Sequence, residues 1–229
     1  MTTALLQTTY FGPIQWYQKL YRYDHCLIEQ CDSFQKQTYR NRCVIATANG
    51  TQALTVPIEN EKGERRNEKC LLRDVRISDH NQWRRVHWNA LQSAYSESPF
   101  FEYYADDLHP FFEEKYEFLI DFNEAIRQKI CELIDIHPHV AYTSEYISHS
   151  LTFSPSHSLT FSPSHSLTFS PSHPLTDFRD VISAKHPQPD AEYTPKEYWQ
   201  VFQHKHGFLP NLSILDLLFN MGPESVFYL

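Results

Sequence analysis

The sequence predicts an α/β protein: a mixed sheet with a strand-helix-strand start, an antiparallel hairpin and a helical C-terminal half. Three observations carry this. Residues 4–10 and 25–29 are short apolar runs separated by a helical stretch, Asn49-Gly50 lies between two strand-like runs, and residues 81–95, 111–134, 195–206 and 213–221 show helical spacing.

In order along the chain, residues 4–10 read as a strand, Gly12-Pro13 as a turn with Pro at the first helical position, and 14–23 as a short amphipathic helix. The run His25-Cys-Leu-Ile-Glu29 follows as a second strand. Strand, helix, strand is the βαβ pattern, whose strands run parallel. Asn49-Gly50 predicts a tight antiparallel hairpin of 39–48 with 52–58. The charged stretch 59–68 reads as a loop, and 72–78, with Val75 and Ile77 alternating, as a strand. Trp83, Val86, His87, Ala90, Leu91 and Ala94 keep helical spacing, with Asp79 or Asn81 as cap. The last predicted helix starts at Ser213 and stops at Gly222-Pro223.

Composition narrows the function classes. The 229 residues carry 20 Lys+Arg against 28 Asp+Glu, a net charge of −8, which disfavours nucleic acid as a partner. An anionic ligand would therefore need a local basic cluster. No run approaches the roughly 18 to 20 apolar residues of a membrane span. The opening residues also lack the basic region of a signal peptide, so a cytoplasmic chain with no membrane insertion is expected. Five cysteines without a Cys-x-x-Cys pair predict reduced thiols rather than a disulfide framework or zinc site.

One repeat dominates. Ser148-His-Ser-Leu-Thr-Phe-Ser-Pro155 recurs identically at 156–163 and 164–171, and no charged side chain occurs between Glu145 and Asp177. A Pro every eighth residue opposes helix, and a period of eight matches neither a heptad nor a solenoid unit. The reading is a single domain, with 1–145 and 177–229 as its α/β and helical parts and 146–176 as a mobile surface insertion. The alternatives are a metal tract built on the recurring His149, His157, His165 and His173, or a small β-solenoid.

Four constellations can carry chemistry. The turn Tyr10-Phe11-Gly12-Pro13 precedes a helix whose N-terminal N–H groups can receive a phosphate or carboxylate. In an extended 36–45, Lys36, Arg40 and Arg42 share one face, and two guanidiniums there can embrace a diphosphate or a carboxylate; the alternative is a solvated face whose basic residues pair with Glu29 and Asp32. Trp83, His87, Leu91 and Tyr95 line one helical face, where His87 can act as a base near neutral pH beside an aromatic wall; the alternative is a hydrogen-bonded core histidine. Asp106-Asp107 with Glu113-Glu114 fits a solvated helix entry, and His137 with His139 and His204 with His206 lack a third metal ligand. No Walker A loop, Gly-x-Gly-x-x-Gly, His-Glu-x-x-His or Gly-x-Ser-x-Gly motif is present.

Taken in order, several motifs resemble the WbqC-like family of bacterial proteins. They are Thr9-Tyr-Phe-Gly-Pro-Ile-Gln-Trp-Tyr17, Tyr23-Asp24, Gln35-Lys-Gln-Thr-Tyr-Arg-Asn-Arg42, Asn49-Gly50 with Leu54-Thr-Val-Pro57, Trp83 with His87, Ser98-Pro-Phe-Phe101, and Ser213-Ile-Leu-Asp-Leu-Leu-Phe-Asn-Met-Gly222. Thr8-Thr9 and Gly12 stand where the family usually has a Gln-Pro lead into its turn. The resemblance implies surface-polysaccharide (O-antigen) biosynthesis, with transfer of glycine or another acyl group to a sugar or sugar nucleotide, or alternatively a non-catalytic binding or scaffold protein of such a pathway. On that reading Lys36, Arg40, Arg42 and the turn Tyr10, Gly12 and Pro13 hold the substrate anion. His87 is the base, Asn41 an orienting or oxyanion donor, Trp83 a stacking wall, and Asp24 and Asp216 partners of the basic groups. The expected partner is a sugar nucleotide or other anionic small molecule, with no cofactor or metal. Nucleotidyl-transfer chemistry ranks lower because the first helix carries Trp16, Tyr17 and Lys19 where such enzymes usually have a His pair.

Overall fold

A computed structural model describes residues 1–59, 70–148, 159–161, 167–169 and 174–229, with backbone alone for 159–161 and 167–169. The chain begins as expected. Strand β1 (Thr3–Gln7) is followed by helix α1 (Ile14–Arg22) and strand β2 (His25–Glu29), and β1 pairs with β2 in parallel. Strand β1 is shorter than predicted because residues 8–13 turn away, and Pro13 is the residue that caps α1 rather than its first helical residue. The hairpin is also present, as antiparallel β3 (Arg42–Thr47) and β4 (Gly50–Thr55). Its positive φ of 107° falls on Gly50, the first residue of β4, so the two-residue turn is Ala48-Asn49.

Helix α2 (Trp83–Tyr95) matches its prediction, but neither Asp79 nor Asn81 caps it: Asp79 pairs with Arg84 and Lys115, and Asn81 is left-handed (φ 64°). Residues 72–78 are not a strand. Leu72–Asp74 form a 3₁₀ turn, and Arg76 and Ile77 make single bridges to Phe118 and Ile58. Val75 and Ile77 are nonetheless buried, so the alternation marked facing rather than a ladder. The predicted helix 111–134 begins later, as helix α4 (Leu119–Leu133) after extended Phe118; before it an unpredicted helix, α3 (Phe101–Leu108), runs into a 3₁₀ turn at His109–Phe112.

Two short strands went unpredicted. Strand β5 (Val140–Tyr142) pairs with β2, and a last strand, Leu175–Asp177, pairs with β1. Within the repeats, β6 (Leu159–Phe161) and β7 (Leu167–Phe169) form a separate antiparallel pair, and the last strand is therefore β8. The rest of the repeats, and with them the metal-tract and mobile-insertion readings, lie outside the described residues. Both flanks of that segment belong to the packed structure, since Ile147 is buried against Leu5 and Leu27 and Leu175 packs beside it. The main sheet is entirely parallel, in the order β5-β2-β1-β8. Its alternation is strict: Ala4, Leu6, Cys26 and Ile28 enter the main core, and Leu5 and Leu27 the smaller cluster on the opposite face.

Of the two helices predicted near the end, 195–206 reduces to one turn, α5 (Gln203–His206), whereas α6 (Ile214–Met221) is capped by the Ser213 hydroxyl and ended by Gly222 as predicted. Ser213 bridges to Pro13, with Ile14 N donating to the Leu212 carbonyl (3.0 Å) and Ile214 N to the Gly12 carbonyl (2.9 Å). The beginnings of α1 and α6 are thus tied together. No disulfide joins any of the five cysteines, and among the described residues no helix is long and apolar enough to cross a membrane.

Asp216 anchors α6. Its buried carboxylate accepts from Tyr95 (2.8 Å), Tyr198 (2.6 Å) and Gln200 Nε2 (3.0 Å), and burial raises its pKa. Among the described residues no basic group meets it, so its expected role beside the basic residues is replaced by a link between α2, the 198–200 coil and α6. Asp216→Ala leaves the buried Tyr95 and Tyr198 hydroxyls without their acceptor, while Gln200 keeps Tyr198 and Leu209, and should cost about 3 kcal/mol in urea unfolding, with Asp216→Asn costing roughly half of that.

Candidate functional site

In an open parallel sheet, ligands bind at the carboxyl ends of the strands where the order reverses. From β1 the chain crosses to β2 on one side, while β8 lies on the other. The reversal is therefore at β1 and β8.

Glu29, which ends β2, is 1% exposed. Its Oε1 accepts from Cys31 N (2.8 Å) and the Thr143 hydroxyl (2.7 Å), and its Oε2 from Ile147 N (3.0 Å) and Arg179 Nη1 (3.3 Å). Arg179, two residues past the end of β8, forks onto Asp177 through Nε (3.0 Å) and Nη2 (2.7 Å) and lies over the Tyr146 ring at 5.2 Å. Burial opposes its charge, but the hydrogen-bonded Asp177 carboxylate prevails and its pKa is raised. Gln7, at the end of β1, donates its amide to the Arg179 carbonyl. This ion cluster holds the edge together and is fully occupied.

Arg40 differs. It is 2% exposed and donates from Nη2 to Asp32 Oδ2 at 2.6 Å, while Nε and Nη1 have no hydrogen-bond partner among the described residues. Three of the five guanidinium N–H groups are thus buried and unsatisfied, an arrangement that costs stability unless an acceptor enters. Burial lowers the Arg40 pKa, and Asp32 and Asp180 oppose that. Asp32 lies three residues past the end of β2, so its contact places Arg40 at the same edge. The Thr9 hydroxyl, just past β1, is a further buried group without a partner among the described residues.

The other predicted residues are dispersed. Residues 36–41 are turns, not a strand, so the shared basic face does not form: Lys36 is exposed and Arg42, half-buried, bonds the Thr55 hydroxyl (3.1 Å). Asn41 is buried and fastens the hairpin through Nδ2 to the Val56 carbonyl (2.8 Å). Asp24 is exposed and accepts from Thr2 N (2.6 Å); its pKa is lowered chiefly by that backbone hydrogen bond, with no arginine involved. The first-turn N–H groups of α1 are already taken: Ile14 N by Leu212, Gln15 N by the Asn211 side chain, and Trp16 and Tyr17 N by the Pro13 carbonyl. Tyr10, Gly12 and Pro13 are all buried in this junction, and Gly12 is needed because a Cβ would meet Thr9 Oγ1 at 2.4 Å.

His87 is a core histidine. It is 4% exposed, its Nδ1 lies 2.9 Å from the Tyr10 hydroxyl, and Trp83, also buried, packs against it at 5.1 Å between ring centroids. Burial pushes its pKa down to about 4, against a hydrogen bond to the Thr55 backbone, so it is neutral at pH 7. Glu29 and Asp32 were expected only as acids that could pair with the basic stretch, and Asp32 does pair with Arg40; Asp177 and Arg179 are the unpredicted members of the site. A signal for them exists in the sequence: Glu29 closes an apolar strand with a charge, and Asp177 and Arg179 are among the first charges after the uncharged repeats.

The fold is that of an α/β protein built on a parallel sheet, with a cluster of buried charges at the carboxyl end of that sheet. The model of the WbqC-like protein family matches residues 7–228, nearly the whole chain, and the protein belongs to that family. It is also similar to an uncharacterized protein of Mycobacterium tuberculosis, 30% identical over 230 residues that cover 99% of this chain and 96% of the relative. No solved structure matches the chain.

The His87 environment sets a pH dependence. Below its unfolded pKa of about 6.5 the unfolded chain binds a proton that the native state refuses, so stability falls as pH drops from about 6.5 to about 4 and then levels. Relative to His87→Gln, the wild type should lose about 2 kcal/mol between pH 7 and pH 5 in urea midpoints.

Proposed function

We propose that this protein binds a sugar nucleotide and transfers an acyl or aminoacyl group, such as glycine, to its sugar in surface-polysaccharide (O-antigen) biosynthesis. The observation that carries the binding half is Arg40, a buried guanidinium with three N–H donors and no partner for them among the described residues, at the carboxyl end of a parallel sheet. Membership of the WbqC-like family supports the pathway. The transfer needs an acceptor oxygen or nitrogen of the sugar to attack an activated acyl carbon, with the donor's thiol, phosphate or other leaving group departing.

A second reading, a non-catalytic sugar-nucleotide binding protein of the same pathway, is favoured by one observation. His87, the base expected from the sequence, is enclosed by Tyr10 and Trp83 and kept neutral, away from solvent.

Calorimetric titration with UDP-, GDP- and dTDP-linked sugars tests the binding half. Arg40→Met should weaken the bound sugar nucleotide at least tenfold, whereas Lys36→Met and Arg42→Met should change it less than twofold. Transfer of a radiolabelled acyl group to the bound sugar separates the two readings: label on the sugar supports the transferase, and binding without label supports the binding protein.

A further inference from the structure

Arg40 does not stand in a positive field. The charged groups that act on it are Asp32, Asp180, Glu29 and Arg179, and Arg179 is itself held by Asp177. Two guanidiniums against four carboxylates leave this edge with a formal charge of −2. A site for a bare diphosphate has the opposite balance, with basic groups and helix N-termini in excess of acids. Here the nearby helix start, that of α1, is closed by Leu212 and Asn211.

The donors also have the wrong distribution for a diphosphate clamp. Nε and Nη1 do not share an edge of the guanidinium, and Nη2 already gives one N–H to Asp32, so a two-oxygen anion would have to share Nη2 with the Asp32 carboxylate and lie beside that negative charge. Separate single acceptors suit them. Hydroxyl or carbonyl oxygens, each accepting one N–H, add no negative charge to an edge that already has an excess.

Resting on the sugar-nucleotide reading above, we infer that Arg40 binds the uncharged sugar of the substrate, through hydroxyl or amide oxygens, and that the diphosphate lies elsewhere. Arg40 is then the residue that selects the sugar, with Asp32 holding its guanidinium in place.

The experiment compares a sugar nucleotide with its own nucleoside diphosphate, on the full chain, with and without magnesium. Arg40→Met should raise the Kd of the sugar nucleotide at least tenfold and that of the nucleoside diphosphate less than twofold. An equal loss for both ligands overturns the inference while leaving the sugar-nucleotide reading intact. Failure of the wild type to bind any sugar nucleotide removes that reading, and the inference with it. Should Arg40→Met not fold, Arg40→Lys decides: a charge contact to phosphate would largely survive the change, whereas hydroxyl contacts made by Nε and Nη1 would be lost with the guanidinium.

Discussion

A single buried carboxylate sets the geometry of the parallel sheet. Four donors from beyond three different strands converge on Glu29: Cys31 N after β2, the Thr143 hydroxyl and Ile147 N after β5, and the Arg179 guanidinium after β8. Parallel strands are joined only by distant crossovers, so nothing local aligns their carboxyl ends. Glu29 does so, and Arg179 with Asp177 supplies the charge that allows a carboxylate to be buried there at all. That end of the sheet is therefore a fixed base, in which Arg40 is the member with donors to spare.

Much of the fold was legible because its signals are local. The βαβ start, the Asn49-Gly50 hairpin and the Ser213-capped α6 each rest on residues within a few positions of one another. The failures share a cause in tertiary context. Strand β8 is three residues long at the decaying end of a repeat, and only pairing with β1 makes it a strand. Residues 72–78 have the period of a strand but find single bridges instead of a neighbour. The break between α3 and α4 falls at 113–118, where Glu113, Glu114 and Lys115 are exposed and Phe118 is extended. Coil 190–200, read partly as helix, is instead drawn against α1 by buried Lys19, whose Nζ meets Asp190 at 2.8 Å.

For the site, residue chemistry was readable and arrangement was not. Arg40 was identified on the premise of an extended strand shared with Lys36 and Arg42, and it is instead the one of the three that turns inward. The face of α2 with Trp83 and His87 was read correctly as a face, but its partner is the core rather than solvent. Which charges cluster at the carboxyl edge depends on strand order, and the order places residue 179 beside residue 29.

The attachment of the repeat-bearing segment has a consequence for how the chain can vary. Its first anchor is Ile147 N on Glu29 and its second is Leu175 beside Thr3, so both ends are held by the same sheet. Inserting or removing whole octapeptides between 148 and 174 changes neither anchor, and so leaves the four strands of the main sheet in register. The closure entropy of a loop this size changes by only about 0.2 kcal/mol per eight residues. Slippage during copying of the coding sequence is thus almost invisible to folding, and three identical units can accumulate at a place where few other parts of the chain would tolerate even one.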